Sequence, residues 1–105
     1  MEPTEAYQRR DEVQFVDVRE PDEWVAGHID IAVHIPMGEL GQRQAELADD
    51  RTIVAVCRSG NRSGQVVGAL RGAGYDAENL DGGMQAWSRA DLPFVAEHGG
   101  PPTVA

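Results

Sequence analysis

The sequence has 105 residues, with no lysine, nine arginines and eighteen acidic residues, which gives a formal net charge of −9 at pH 7. This length favours one domain, and a hydrophobic fraction of 41% is sufficient for one core. The negative charge argues against nucleic acid and anionic membranes as partners, and no apolar run approaches the roughly 18 residues that span a bilayer.

The N-terminal third of the chain predicts a strand followed by a short helix. The segment "QFVDV", residues 14–18, is rich in β-branched and aromatic residues, as strands are. Pro21 suits the first turn of a helix, and the two acidic residues that follow it favour the positive end of the helix dipole. We therefore predict a helix over about residues 21–26 that ends at Gly27.

The middle of the chain predicts a second strand, a weaker helix and a third strand. The segment "IAVHIP", residues 31–36, reads as a strand that its proline stops. Leu40 and Leu47 lie seven residues apart in "GELGQRQAEL" and indicate a modest helix. The segment "RTIVAVC", residues 51–57, is a continuous apolar run, which suits a central parallel strand that is covered on both faces.

The last third of the chain continues this alternation. Apolar residues recur at helical spacing from Val66 to Ala73, "AENLDGG" at 77–83 indicates a short strand and a turn, and "MQAWSRA" at 84–90 indicates a final helix. Strands that alternate with helices predict an α/β fold. We expect an open parallel β-sheet of about four to five strands with helices on both faces.

The two ends of the sequence carry weaker signals. We predict one domain over residues 1–96 and a flexible tail over residues 97–105, which are rich in glycine and proline. Met1 is followed by a polar segment without an apolar core, so no signal peptide is expected. A cytoplasmic location is the resulting prediction.

The only cysteine, Cys57, limits the chemistry that the chain can perform. A single cysteine excludes an internal disulfide, a CxxC redox pair and a zinc site built from several thiolates. The three histidines match no ligand spacing, so no metal or cofactor is expected.

Cys57 stands at the carboxyl end of the predicted central strand, where ligands bind in open α/β sheets. The loop that follows is short and leads into a helix, so backbone N–H groups from about Arg58 to Ser63 can turn inward and bind an anion, with Gly60 supplying freedom for the curl. Such a site, with Arg58 and Arg62 nearby, would lower the pKa of the thiol and would hold an anionic substrate.

The alternative is a buried cysteine that only packs as a small hydrophobe, as most free cysteines do. The six residues after Cys57 include two arginines and an asparagine, which is a poor environment for an inert core thiol. The reactive interpretation is therefore favoured.

The loop "CRSGNRS", residues 57–63, resembles the active-site loop of the rhodanese family. Three other segments agree with that family in order and spacing. "FVDVREPDEWVAGHI" at 15–29 is similar to the family's first signature, "AVHIP" at 32–36 to the strand after it, and "LDGGMQAW" at 80–87 to the C-terminal signature. The resemblance covers about residues 3–95.

The resemblance implies a single-domain, rhodanese-like sulfurtransferase that carries sulfane sulfur as a persulfide on Cys57. It implies that the rest of the loop binds the substrate, namely Arg58, Ser59, Gly60, Asn61, Arg62 and Ser63. The implied donor is a small anion such as thiosulfate. The implied acceptor is a thiol, cyanide or a thioredoxin-like protein, and neither nucleic acid nor a membrane is implied as a partner.

Other signature residues have structural interpretations. Asp17 and Arg19 lie just past a predicted strand, and we expect them to form an ion pair that braces the loop. His28 is expected to cap or pack in its turn, and Gly82 and Gly83 are expected to make the last turn.

The sequence departs from the family pattern at two places. Ile31 fills a position that is usually glycine in the family, and this change is expected to alter a turn without affecting the sulfur chemistry. The N-terminal edge strand that is usual in the family has few residues here, so that strand is expected to be stunted or missing.

Two other functions remain open at this point. Cysteine phosphatases and arsenate reductases use a C-x5-R loop, whereas Arg62 follows Cys57 after four residues and Ser63 stands at the phosphatase arginine's place. A non-enzymatic binding module is the other alternative, because rhodanese-like domains that lack the cysteine often have that role. The presence of Cys57 argues against it.

Overall fold

The computed structural model describes residues 1–105 and contains four strands and four α-helices. The helices are α1 (Pro3–Gln8), α2 (Pro21–Ala26), α3 (Asn61–Gly72) and α4 (Gly83–Arg89). The strands are β1 (Val13–Asp17), β2 (Val33–His34), β3 (Thr52–Val56) and β4 (Ala77–Asn79). Two 3-10 turns, Met37–Glu39 and Gln44–Glu46, lie between β2 and β3.

The four strands form one parallel sheet in the order β2-β1-β3-β4, which confirms the predicted α/β fold. β3 lies between β1 and β4, so the apolar run that was predicted to be central is an interior strand. Asp17 pairs with Val56 in the register, and therefore β1 and β3 end at the same edge of the sheet. Residues that follow these two strands are brought together at that edge.

One face of the sheet is covered by α3. Val66, Val67 and Leu70 of this helix join Ile53 and Ala55 of β3 in one buried cluster. The helix therefore runs along the sheet directly after the cysteine-containing loop, and its apolar face fixes its position.

The opposite face is covered by α1 and α4. Ala6, Met84 and Trp87 from these helices share a second buried cluster with Phe15 and Val54. The Trp87 ring meets Phe15 edge-on at 5.7 Å between centroids, and the Trp87 indole N–H donates to the Pro93 carbonyl at 3.0 Å. Helices thus lie on both faces of the sheet, as predicted.

The segment between β2 and β3 differs from the prediction. The helix expected around Leu40 and Leu47 is absent, and the two 3-10 turns stand in its place. Leu47 is buried, and Leu40 packs partly against the same cluster, so both leucines reach the core without a continuous helix. A seven-residue leucine spacing is too weak a signal to distinguish these two arrangements.

The strand β2 differs in extent from its prediction, and Ile31 lies in the turn before it. Only Val33 and His34 pair with β1, so β2 is shorter than the strand predicted over 31–36. Ile31 lies in the turn before β2 and is 56% exposed. Asp91 is the only non-glycine residue with a positive φ, and thus Ile31 makes its turn without left-handed backbone.

The N-terminal segment forms α1 where a stunted or missing strand was expected, and β4 is an edge strand of the sheet. The Met1 amino group donates to the Asn79 carbonyl at 2.8 Å. The Asp81 N–H in turn donates to the Met1 carbonyl at 2.9 Å. Met1, two residues before the start of α1, therefore lies beside the end of β4.

Residues 97–105 contain no helix or strand, and they run past α2. The Glu97 N–H donates to the Val25 carbonyl at 3.1 Å, and the Thr103 N–H donates to the Ala26 carbonyl at 3.0 Å. The flexibility of this tail stays a prediction. None of the helices has the length and apolar character that crossing a bilayer requires.

Candidate active site

Cys57 follows β3 directly, and the next helix begins at Asn61. We call residues 57–63 the cysteine loop. The thiol therefore lies at the carboxyl edge of an interior strand and beside the N-terminus of α3, as the sequence predicted.

The Cys57 sulfur accepts hydrogen bonds from within the cysteine loop. The Gly60 N–H donates to Sγ at 3.0 Å, and the Ser63 hydroxyl donates to Sγ at 3.2 Å. Only 1% of Cys57 and none of Ser63 is exposed to solvent. The sulfur is thus enclosed, but the atoms that enclose it include hydrogen-bond donors as well as apolar side chains.

Two opposing effects determine the acidity of this thiol. Burial alone raises the pKa of Cys57, because it disfavours the charged thiolate. Hydrogen bonds from the Ser63 hydroxyl and from the backbone N–H groups of Ser63, Gly60 and Ser59 lower it. The hydrogen bonds together outweigh burial, so the pKa of Cys57 lies below its ordinary value.

The curl of the cysteine loop depends on Gly60, which has a φ of 102°. This left-handed conformation is costly for residues with a side chain, and it is the one that turns the Gly60 N–H toward the sulfur. Asn79, at the end of β4, stabilises this loop conformation through its side chain. Its amide group donates to the Gly60 carbonyl at 3.0 Å. Its side-chain oxygen is a second acceptor for the Ser63 hydroxyl, whose one proton is shared between Asn79 and Sγ.

The first turn of α4 supports the cysteine loop from the other side. The Met84 N–H donates to the Cys57 carbonyl at 2.8 Å, and the Gln85 N–H donates to the Arg58 carbonyl at 3.0 Å. Gly83 permits this approach, because a Cβ there would overlap the Cys57 carbonyl oxygen and would lie 2.6 Å from that of Arg58. Its φ of 60° also favours glycine. The predicted glycine turn therefore positions the loop as well as the helix.

The guanidinium groups of the two loop arginines form hydrogen bonds with groups other than the sulfur. Arg58 is exposed, and its Nε–H donates to the Ala105 carbonyl at 3.0 Å. Arg62 forms a bidentate ion pair with Glu23 of α2, with two hydrogen bonds of 2.8 Å. Asn61 is exposed and begins α3.

Asp17 and Arg19 form the expected ion pair, and both side chains are fully buried. The Arg19 guanidinium donates to Asp17 at 2.7 Å and to the Gly27 carbonyl at 2.7 Å. This pair therefore fixes the end of α2 against the end of β1, and it makes no hydrogen bond to the cysteine loop. Its link to the loop passes through Glu23 on the same helix.

His28 packs in its turn, as the sequence predicted. Its ring stacks on Trp24 with 3.6 Å between centroids, and its Nδ1 lies 2.8 Å from the Trp24 carbonyl. No group of three or more His, Cys, Asp or Glu side chains is placed to hold a metal ion.

Asn79 and Glu23 were not predicted from the sequence as residues of the site. Asn79 could have been found, because a polar residue at the end of a short strand must lie at the same edge of the sheet as Cys57. Glu23 was interpreted only as a helix-dipole residue. Its contact with Arg62 joins residues 39 positions apart, which no local pattern reveals.

Comparison with known proteins agrees with this geometry. A sequence model described as a rhodanese-like domain matches residues 2–90. The chain belongs to the rhodanese-like domain family. A solved structure of a rhodanese-related protein from Thermoplasma volcanium superimposes with a TM-score of 0.88 at 31% identity, and the match covers 92% of this chain and 97% of that one.

Two curated relatives of this rhodanese-like chain differ in length. A protein named "Sulfurtransferase" from Allochromatium vinosum is 42% identical, over 85% of this chain and 84% of its own. The uncharacterized protein slr1261 from Synechocystis is also 42% identical, over 89% of this chain. This chain spans about half of that relative, 52% of its length.

Proposed function

We propose that this rhodanese-like domain is a sulfurtransferase that moves sulfane sulfur from thiosulfate, or a related donor, to a thiophilic acceptor through a persulfide on Cys57. One observation carries the proposal. The sulfur at the end of β3 accepts inward-pointing hydrogen bonds from Gly60 and Ser63, so the loop is built to hold a negative charge there. The name of the Allochromatium relative supports the same reaction class.

In the first half-reaction, the Cys57 thiolate attacks the outer sulfur of thiosulfate. A new S–S bond forms to Cys57, the bond between the two donor sulfurs breaks, and sulfite leaves with that electron pair. The total charge is unchanged and no proton is transferred. A general base is not required, because hydrogen bonding in the loop already favours the ionised thiol.

In the second half-reaction, an acceptor such as cyanide or a thiolate attacks the terminal sulfur of the persulfide. The bond between that sulfur and Cys57 breaks, and Cys57 leaves as the thiolate. The same hydrogen-bond donors that hold the resting sulfur stabilise the charge at both stages. Because Cys57 is 1% exposed, the donor and the acceptor reach Sγ only when surrounding atoms move aside.

A phosphatase or arsenate reductase is less consistent with this site. Arg62 comes one residue too early for the C-x5-R arrangement, and its guanidinium is occupied by Glu23. Ser63, at the phosphatase arginine's place, is fully buried against the sulfur. The site therefore lacks a free arginine that could close over a tetrahedral oxyanion.

The proposal is tested by steady-state transfer from thiosulfate to cyanide. A single covalent intermediate predicts ping-pong kinetics, with parallel double-reciprocal plots. Cys57→Ser is expected to abolish transfer while it leaves the urea unfolding midpoint almost unchanged, since the two side chains are close in size. Transfer by Cys57→Ser at the wild-type rate would contradict the proposal, as would hydrolysis of p-nitrophenyl phosphate without thiosulfate activity.

A further inference from the structure

Glu23 of α2 and Arg62 of the cysteine loop form an ion pair. Both guanidinium NH groups donate to separate carboxylate oxygens of Glu23 at 2.8 Å. The Glu23 side chain is 14% exposed and the Arg62 side chain is 35% exposed. This bidentate geometry is the strong form of an arginine–carboxylate pair.

Glu23 is held in place independently of Arg62. Its carboxylate accepts the backbone N–H of Glu20 at 3.0 Å, which is one half of a capping box at the start of α2. The hydrogen bond from Arg62 lowers the pKa of Glu23, so Glu23 is ionised at neutral pH. Its negative charge is therefore a fixed part of the site.

The guanidinium of Arg62 also interacts with the sulfur site. Hydrogen bonding to Glu23 raises the pKa of Arg62 most, and the negative charge of Cys57 raises it further. Arg62 also directly precedes Ser63, whose hydroxyl donates to Sγ at 3.2 Å, so Arg62 belongs to the loop that encloses the sulfur. The other arginine of the loop, Arg58, is exposed and already donates to the Ala105 carbonyl.

We propose that Glu23 sets the charge selectivity for the sulfur donor. By neutralising Arg62, its carboxylate disfavours a dianionic donor such as thiosulfate relative to donors that carry one negative charge or none. The inference rests on the proposed sulfur transfer and adds the donor class to it. Its physical basis is that a dianion interacts twice as strongly as a monoanion with any charge added or removed nearby.

The test compares two donors that undergo the same chemistry with different charge. Thiosulfate is a dianion, and methanethiosulfonate is a monoanion that leaves methanesulfinate when Cys57 attacks its outer sulfur. The measured quantity is the ratio of kcat/KM for thiosulfate to kcat/KM for methanethiosulfonate, with cyanide as acceptor. In a ping-pong scheme each kcat/KM reports only the donor half-reaction.

Glu23→Gln is the informative variant, because glutamine keeps the capping-box acceptor and loses the charge. Removal of one negative charge at a partly exposed site is expected to raise kcat/KM about threefold for the monoanion and about ninefold for the dianion, so that the ratio rises about threefold. Added salt is expected to reduce this difference. Asp22→Asn is the matched control, since Asp22 lies on the same helix, is exposed and makes no hydrogen bond to Arg62.

Each outcome decides the inference. A threefold rise in the ratio for Glu23→Gln, with an unchanged ratio for Asp22→Asn, supports it. An unchanged ratio, or an equal loss of activity with both donors, would overturn it and would leave Glu23 with a positioning role only. If Glu23→Gln fails to fold, Arg62→Gln provides the reverse test and is expected to lower the ratio about threefold.

The inference and the proposed function fail in different ways. If wild-type protein transfers sulfur from neither donor, both are wrong. If wild-type protein transfers sulfur and the ratio does not respond to Glu23→Gln, the proposed function stands and only the assignment of Glu23 is wrong.

Discussion

Cys57 is both a core residue and a candidate nucleophile, and its surroundings reconcile the two roles. Cys57 is 1% exposed and belongs to the apolar cluster beneath α3. Burial of this kind would keep an ordinary thiol protonated. The donors from Gly60 and Ser63 reverse that effect, because they stabilise the thiolate more than burial disfavours it.

Ser63→Ala tests this balance at the residue scale. Loss of the hydroxyl removes a hydrogen bond that lowers the pKa of Cys57, so the midpoint of thiolate formation is expected to move to higher pH. Sulfur transfer at neutral pH is expected to slow about tenfold, since a hydrogen bond to a charged group contributes about 1.5 kcal/mol. The midpoint is measured from the pH dependence of iodoacetamide alkylation.

Ser88→Ala is the control for this variant, because Ser88 lies near the end of α4 and makes no hydrogen bond to the cysteine loop. It is expected to leave the alkylation midpoint and the transfer rate unchanged. If Ser63→Ala also left the midpoint unchanged, the hydroxyl would have no part in holding the thiolate.

Among the elements of the fold, α4 contacts the backbone of the cysteine loop directly, although it lies far from the loop in the sequence. Its first-turn N–H groups donate to the Cys57 and Arg58 carbonyls, and Gly83 allows the two backbones to meet. The C-terminal glycine signature therefore acts on the site through the backbone, although it lies more than twenty residues beyond Cys57.

Gly83→Ala tests this contact between elements. A Cβ at this position overlaps backbone atoms of the loop and meets a φ of 60°, so the variant is expected to lose about 2–3 kcal/mol of unfolding free energy. Gly68→Ala is the matched control in α3, where a Cβ meets no atom within 4 Å. That change is expected to add about 0.5–1 kcal/mol, and urea unfolding measures both. Equal stability of the two variants would contradict the account of the contact.

Elements whose sequence signals are local were predicted well. The helix over Pro21–Ala26 matches its prediction, because its proline start and glycine end are both local signals. β3 was identified from its unbroken apolar run. The 3-10 turns before β3 were not predicted, since two leucines can reach the core by several backbone paths.

The position of the candidate site was predicted from the sequence, but the contacts that hold its loop in place were not. The sequence indicated that Cys57 follows an interior strand and that the loop can present N–H groups, and both features are present. It did not reveal that Arg62 is bound by Glu23, or that Asn79 holds Gly60. These contacts join separate elements, and only the assembled sheet brings them together.

At the scale of the whole molecule, one chain of polar contacts connects the core to the site. The buried pair of Asp17 and Arg19 holds the Gly27 carbonyl, and α2 then carries Glu23 to Arg62. The position of the cysteine loop therefore depends on a charged pair in the interior that makes no hydrogen bond to the sulfur.

Arg19→Ala tests how much the fold depends on this buried pair. Removal of Arg19 leaves the Asp17 carboxylate buried without its partner, which is expected to cost about 3–5 kcal/mol of unfolding free energy. Arg89→Ala, on the exposed side of α4, is the control and is expected to change stability by about 0.5 kcal/mol or less. Urea unfolding of the two variants decides the matter, and a loss below about 1 kcal/mol for Arg19→Ala would contradict this role.

The most direct test of the account is the intact mass of the protein after incubation with thiosulfate and removal of free donor. Wild-type protein is expected to gain one sulfur atom, about 32 Da, on the peptide that contains Cys57, and cyanide is expected to remove it. Cys57→Ser is expected to gain nothing. Absence of the added sulfur from wild-type protein, or its presence on Cys57→Ser, would contradict the assignment of Cys57 as the sulfur carrier.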